Sequence, residues 1–344
     1  MQESNLSRSF ITFANMECKG SSKLYEFLSI NIAKDAELLD LCLAVPKGQP
    51  VPNLLFGAVH YLLFKGNEHQ LRDYYRSITI QPKQIGNETF GYFKDFCIRY
   101  RDEIIPILKS KLVQTNEVRR CGYLYPTFSW IYNKTQQPLS IIEIGTSAGL
   151  QLLWDTYSYS YGTKETVGNK NARVHITSEV KGDHFPIVLS ESPPIVSKIG
   201  LDLNINDLSD PEDYLWLKAL IWPEHQERLE LFVQAAANLK ENPIQLVEGD
   251  GVLLLSEVVE TLPADSTICI FHTHVANQIP TESKHELVER IASLGRKRDV
   301  FHIYNNMWDR QLHLDYYVNG KEFKNTIGDT DGHGRWFEWN LERS

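Results

Sequence analysis

The chain has 344 residues, a formal net charge of −9 and 42% apolar residues. Such a length suits two domains, and ordinary apolar and charged fractions exclude a fibrous or disordered chain. The acidic balance argues against nucleic acid or an anionic membrane as the main partner, since both call for a basic footprint.

The first third reads as helical. "SSKLYEFLSINIAKDAELLDLCLAV" and "NLLFGAVHYLLF" space their apolar residues three and four apart. Pro50 and Pro52 stand where a helix start tolerates proline. "ETFGYFKDFCIRYRDEIIPILKSKL" predicts a helix or helix pair bent or broken at Pro106. "NEVRRCGYLYPTFSWIYNKT" predicts a further helix. Residues 1–115 are therefore expected to form a helical domain that caps the rest.

At Pro138 the pattern changes. "LSIIEI" is a short β-branched run, followed by a glycine loop and then by "LQLLWDTYSY", which reads as strand, turn and helix. "NARVHITSEVKGDHFPIVL" predicts an inserted hairpin near residues 173–190, and "PPIVSKIGLDLN" a strand ending at Asp202. "DPEDYLWLKAL" and "PEHQERLELFVQAAANLK" are helical, "IQLVEGDG" and "STICIFHTHV" are strands, and "TESKHELVERIASLG" is a helix. "VFHIYNN" is another strand, and "LHLDYYVNGKEFKNTIG" with "GRWFEWNL" predicts a final antiparallel pair. Alternation of this kind implies a mostly parallel, doubly wound sheet with helices on both faces, about five parallel strands plus that pair, over residues 116–344.

Cys18, Cys42, Cys97, Cys121 and Cys269 are scattered, odd in number and without C-x-x-C spacing. They form neither a disulfide framework nor a zinc site, so a reducing compartment is expected. "MQESNLSRSF" lacks a basic start ahead of an apolar run, and the most apolar stretch is too short for a bilayer. A cytoplasmic protein with a small-molecule partner and no bound metal is the expectation.

The loop Gly145-Thr146-Ser147-Ala148-Gly149 has two readings. As G-x-S-x-G it is a nucleophile elbow presenting Ser147, with His333 as base and Asp250-Gly251 resembling the Asp-Gly of patatin-like lipases. No glycine-rich oxyanion loop precedes it. As a cofactor loop, its small residues let a ligand approach the backbone at the carboxyl end of the first strand. Glu143 would be costly to bury there unless a cationic or hydrogen-bonding ligand lies beside it.

"IIEIGTSAG" resembles the first motif of class I S-adenosylmethionine (SAM) dependent methyltransferases, with Ser147 where a glycine is usual. That resemblance implies a Rossmann-like sheet of seven strands. It implies a cofactor site of Glu143, Gly145, Thr146, Ser147, Gly149, Asp202 or Glu179 for the ribose, and Asp250-Gly251 for the adenine. The strand "STICIFHTHV" would place His272 and His274 on one face beside the transferable methyl, His272 as a base where the acceptor is protonated. Glu117, Arg119 and His333 are candidate lid or substrate contacts, with a surface ion pair as the plainer reading of the first two. Trp154, Tyr157, Tyr159, Tyr161, Trp216 and Trp222 read as packing residues. Over almost the whole chain, "NEVRR", "EIGTSAGLQLLWDTYSYSYG", "GLDLNINDLSDPEDYLWLKALIWPEHQERL" and "HGRWFEW" resemble the bacterial family labelled domain of unknown function 2332. That family brings no reaction with it.

Overall fold

A computed structural model describes residues 2–163 and 165–342 of the chain. Two units emerge: residues 1–115 with 208–230, and residues 116–207 with 231–344.

The first unit is helical. Its helices are Gln2–Phe13, Lys23–Ile32, Ala36–Cys42, Val51–Phe64, Asn87–Arg99, Arg101–Ser110 and Pro211–Ala219. The break in the fifth and sixth falls at Tyr100, where φ is −105° and ψ is 25°, and Pro106 lies inside the second of the pair. The expected break at Pro106 is thus displaced by six residues: Pro106 lies on the exposed face of a short helix that buries only Ile104 and Leu108. Val51–Phe64 is buried almost all round, which explains why its apolar stripe is so wide. Tyr25 stacks on Phe56, and Trp222 meets Phe13 and Tyr25 edge-on. Trp216 donates its indole N–H to Leu112 O at 2.8 Å. These aromatic anchors tie residues 208–230 into the helical unit, an excursion that helical periodicity alone does not reveal.

The second unit is built on a seven-stranded sheet. Its strands are β1 (Leu139–Ile144), β2 (Ile195–Asp202), β3 (Gln245–Glu248), β4 (Thr267–His272), β5 (Val300–Tyr304), β6 (Leu312–Val318) and β7 (Lys321–Gly328). Their spatial order is β7-β6-β5-β4-β1-β2-β3. β1 to β5 pair in parallel, while β6 is antiparallel to both neighbours. The fold is mixed α/β with a large, mostly parallel sheet.

One face of the sheet is covered by helices Gly251–Glu260 and Thr281–Gly295. There Ile142, Leu201, Leu255, Ile270, Leu287 and Ile291 share a core cluster. On the other face Phe128 of helix Cys121–Thr135 meets Phe271 edge-on and stacks on Trp154. Asn238 of helix Gln226–Glu241 donates to Thr156 on that side. Both faces are therefore dry, and β1 and β4 are buried along their whole length.

Two local expectations are corrected. The segment after the glycine loop is a 3₁₀ turn, Leu150–Thr156, and then a strand, Ser158–Ser160. Tyr157, Tyr159 and Tyr161 are buried at every second position, a strand period that outweighs helical spacing. The region near 173–190 is not a hairpin. His175–Thr177 pairs in parallel with Ser158–Ser160, and Glu179–Lys181 pairs in parallel with Trp336–Glu338. The two short strands find partners far away in sequence rather than each other. All five cysteines are free and buried. No helix among the described residues is long and apolar enough to cross a membrane.

Candidate active site

The sheet order reverses between β1 and β4: the chain leaves β1 for β2 on one side and later returns to β4 on the other. At such a switch point the carboxyl-end loops diverge and leave a crevice. Glu143, the glycine loop, Thr273 and His274 stand at those ends.

The loop turns on three left-handed residues, Gly145 (φ +74°), Ser147 (φ +54°) and Gly149 (φ +77°). Glycine adopts this region freely, but serine does not. The strain at Ser147 is offset by three bonds. Its N–H donates to Asp202 Oδ2 at 2.7 Å, its carbonyl accepts from Asn206 N at 3.2 Å, and its Oγ accepts from Asn206 Nδ2 at 3.1 Å. No imidazole among the described residues hydrogen-bonds to Ser147 Oγ, so the base required by the elbow reading is absent from its position.

The glycines do something other than expected. A Cβ on Gly145 would lie 2.4 Å from Val275 Cγ2, and one on Gly149 would lie 2.2 Å from Ile244 Cδ1. Their small size admits the protein's own side chains, not open space for a ligand. Gly251 is the same: a Cβ there would meet Ile144 Cγ2 at 2.9 Å. Asp250 caps helix Gly251–Glu260, with Oδ1 accepting from Val252 N at 2.8 Å and Leu253 N at 3.3 Å.

Glu143 is 3% exposed, and Thr146 Oγ1 donates to its Oε2 at 2.6 Å. Burial, with Asp202 nearby, pushes its carboxyl up to about 8, against the pull of Thr146 and Arg120. Asp202 is half-buried and also raised, chiefly by desolvation. It ends β2 beside β1, whereas Glu179 is exposed on the separate two-stranded sheet. Of the two acids, Asp202 is the one placed at the crevice.

The histidines divide. His272 is fully buried at the end of β4, with Nε2 3.0 Å from His302 Nε2 and its ring stacked on Tyr304. Burial lowers it to about 4, and it is a neutral part of the sheet core rather than a base in reach of a substrate. His274 follows in a left-handed turn (φ +57°), which ends the strand alternation that would have put both rings on one face. Its N–H donates to Asn305 Oδ1 at 2.8 Å. Burial, then Arg120 and His333, hold its imidazole down at about 3.

The "NEVRR" stretch is neither a lid nor a surface pair. Val118–Arg120 is a buried 3₁₀ turn capped by Glu117, which accepts from Arg119 N. Asn116 Nδ2 donates to Thr146 O at 3.1 Å, tying it to the glycine loop. Glu117, 2% exposed, pairs with His333 Nδ1 at 3.0 Å. Arg120 donates to Gly332 O at 3.0 Å and Thr273 O at 3.2 Å. A carboxylate is thus placed to orient an imidazole, and a guanidinium to bridge two loops. Sequence reasoning chose Arg119 from the doublet; Arg120 is the residue that reaches β4. It also missed Tyr123, Gln151, Thr273, His302 and Asn305. Each looks like an ordinary helix or strand residue until the carboxyl ends of β4 and β5 are seen side by side. No group of three His, Cys, Asp or Glu side chains among the described residues is placed to hold a metal ion.

Fold and site together define a mixed α/β protein with its polar, titratable groups gathered at the strand-order switch of a mostly parallel sheet. The chain belongs to the bacterial family described as "Uncharacterized protein conserved in bacteria (DUF2332)", whose model matches residues 7–339. No curated protein and no solved structure matches it.

Proposed function

We propose that the second unit is a Rossmann-like, class I methyltransferase-type domain that binds S-adenosylmethionine and serves methyl transfer to a small-molecule acceptor. The observation that carries this reading is Glu143. It is a buried carboxyl at the switch point, with a hydroxyl as its hydrogen-bond donor and a second acid, Asp202, close enough to raise it further. Burial, with the Asp202 charge added to it, keeps Glu143 protonated, and a bound cation beside it would instead favour the carboxylate. A sulfonium nucleoside that also bears an ammonium supplies that cation.

The fit rests on the acids, not on the glycines. Glu143 would face the amino acid end and Asp202 would take the ribose hydroxyls, with Ser147 N–H holding Asp202 in place. Gly145 and Gly149 serve the loop's own packing. Asp250, occupied as a helix cap, is the weakest of the implied contacts. An electrophilic methyl group is what the cofactor supplies when bound. The chain's contribution is then alignment of the acceptor and exclusion of water. Glu117 would orient the His333 ring to accept a proton where the acceptor carries one. The hydrolase alternative requires an imidazole where Asn206 stands, so it has less support.

Isothermal titration of the full chain with SAM and with its demethylated product tests this reading. Saturable binding of both is expected. Binding of neither would overturn it.

A further inference from the structure

Buried polar atoms without partners are rare in folded proteins, and each calls for an explanation. In this unit three of them lie in one neighbourhood: Tyr123 Oη, His274 Nε2 and Asn305 Nδ2. Tyr123 and Asn305 are both 0% exposed. The three residues come from different elements: the first turn of helix Cys121–Thr135, the loop after β4 and the residue after β5. His274 N–H to Asn305 Oδ1, at 2.8 Å, joins two of them. Arg120 donates to Thr273 O and Oγ1 at 3.2 and 3.3 Å, one residue before His274, and the Tyr123 hydroxyl, buried on the same side, feels the Arg120 charge and the Asn305 and Thr273 side chains.

The chemistry of the set is one-sided. Tyr123 offers an O–H, Asn305 an N–H₂ and Arg120 a positive charge, and His274 can donate or accept according to tautomer. Two of the acids nearby are already engaged. Glu117 is paired with His333, and Asp331 accepts two bonds from the Arg335 guanidinium, at 2.8 and 2.7 Å. The framework is also fixed. Arg120 is held by Gly332 O and Thr273 O, Thr273 donates to Gln151 Oε1 at 3.1 Å, and Gln151 donates to Glu117 O at 3.3 Å. Such a network keeps its donors preorganised.

We infer that Arg120, Tyr123, His274 and Asn305 form a binding site for the carboxylate group of a small molecule, at the carboxyl ends of β4 and β5. One guanidinium matches one negative charge, and two neutral donors match the two oxygens of a planar carboxylate. A phosphate dianion would need a second cation. The site is independent of whether SAM binds beside Glu143.

The test uses the full chain and a panel of formate, acetate, benzoate and succinate, with inorganic phosphate and benzamide as controls. Thermal melting and isothermal titration are the readouts, for the native chain and for Tyr123→Phe and Asn305→Ala. At least one carboxylate is expected to bind saturably and raise the melting temperature. Affinity should fall about tenfold in Tyr123→Phe, as befits one lost hydrogen bond to a charged group. Tyr123→Phe without ligand should melt close to the native chain, because the hydroxyl makes no well-formed hydrogen bond in the fold. The inference is overturned by absence of binding by every carboxylate, which would leave ordered water as the occupant. It is equally overturned by affinity unchanged in both variants, or by phosphate outbinding all the carboxylates.

Discussion

Replacing Glu143 with Gln probes the account at its centre. The amide keeps the size of the side chain and still accepts from Thr146 Oγ1, but it cannot ionise. In the folded chain the carboxyl sits at about 8, raised by burial from the ordinary 4.5. Between those values the native state holds a proton that the unfolded state has released. Stability therefore falls as pH rises through that window, and levels off above it. At about 1.4 kcal/mol per pH unit, the full effect approaches 5 kcal/mol. Glu143→Gln removes this dependence. Urea unfolding followed by tryptophan fluorescence at pH 5, 6, 7 and 8.5 should show native and variant alike at pH 5. The variant should be more stable by a few kcal/mol at pH 8.5. Parallel curves across the range would refute the claim that Glu143 is buried without a cation.

Three further outcomes follow from the same geometry. Gly145→Ala places a methyl against Val275 at a left-handed φ, so a loss of roughly 2–4 kcal/mol is expected. Val275→Ala should recover part of it in a double-mutant cycle, and a variant of undiminished stability would contradict the packing role of Gly145. Ser147→Ala removes the hydrogen bond from Asn206 Nδ2 to Ser147 Oγ and should cost about 1 kcal/mol. An active-site serine probe should label neither it nor the native chain, and native-only labelling would instead support hydrolysis. His272 is neutral in the fold and lowered to about 4, while the unfolded residue titrates near 6.5. Stability from this residue is thus lost as pH falls from 6.5 to 4, by about 3 kcal/mol, and His272→Gln should flatten the acid limb of the urea midpoint.

Much of the architecture was legible in the sequence because period and punctuation agreed. β1, β2 and β4 are apolar runs with an acid or a histidine at or next to their ends, β5 is an apolar run ending at Tyr304, and each reads as a parallel strand. What could not be read was partnership at long range. Residues 208–230 look like any helix-turn-helix, and contacts such as the packing of Trp216 and Trp222 and the bonds of Glu224 to Ser22 and Leu24 assign them to the helical unit. His175–Thr177 and Glu179–Lys181 are adjacent in sequence yet belong to different sheets. The site shows the same limit. Glu143, Ser147 and Asp202 were found because a motif frames them. Tyr123 and Asn305 have no motif, and their meaning lies in two unpaired atoms that only side-by-side strands bring together. His272 was over-read for the converse reason: a histidine at a strand end suggests chemistry, but this one faces His302 in the core.

The most direct measurement is the number of protons released when SAM binds, obtained by titration at pH 6.5 in buffers of different ionisation enthalpy. A cation beside Glu143 should ionise it, so close to one proton is expected to leave per SAM bound from the native chain and none from Glu143→Gln. SAM that does not bind, or that binds both forms alike with no proton released, would contradict the account.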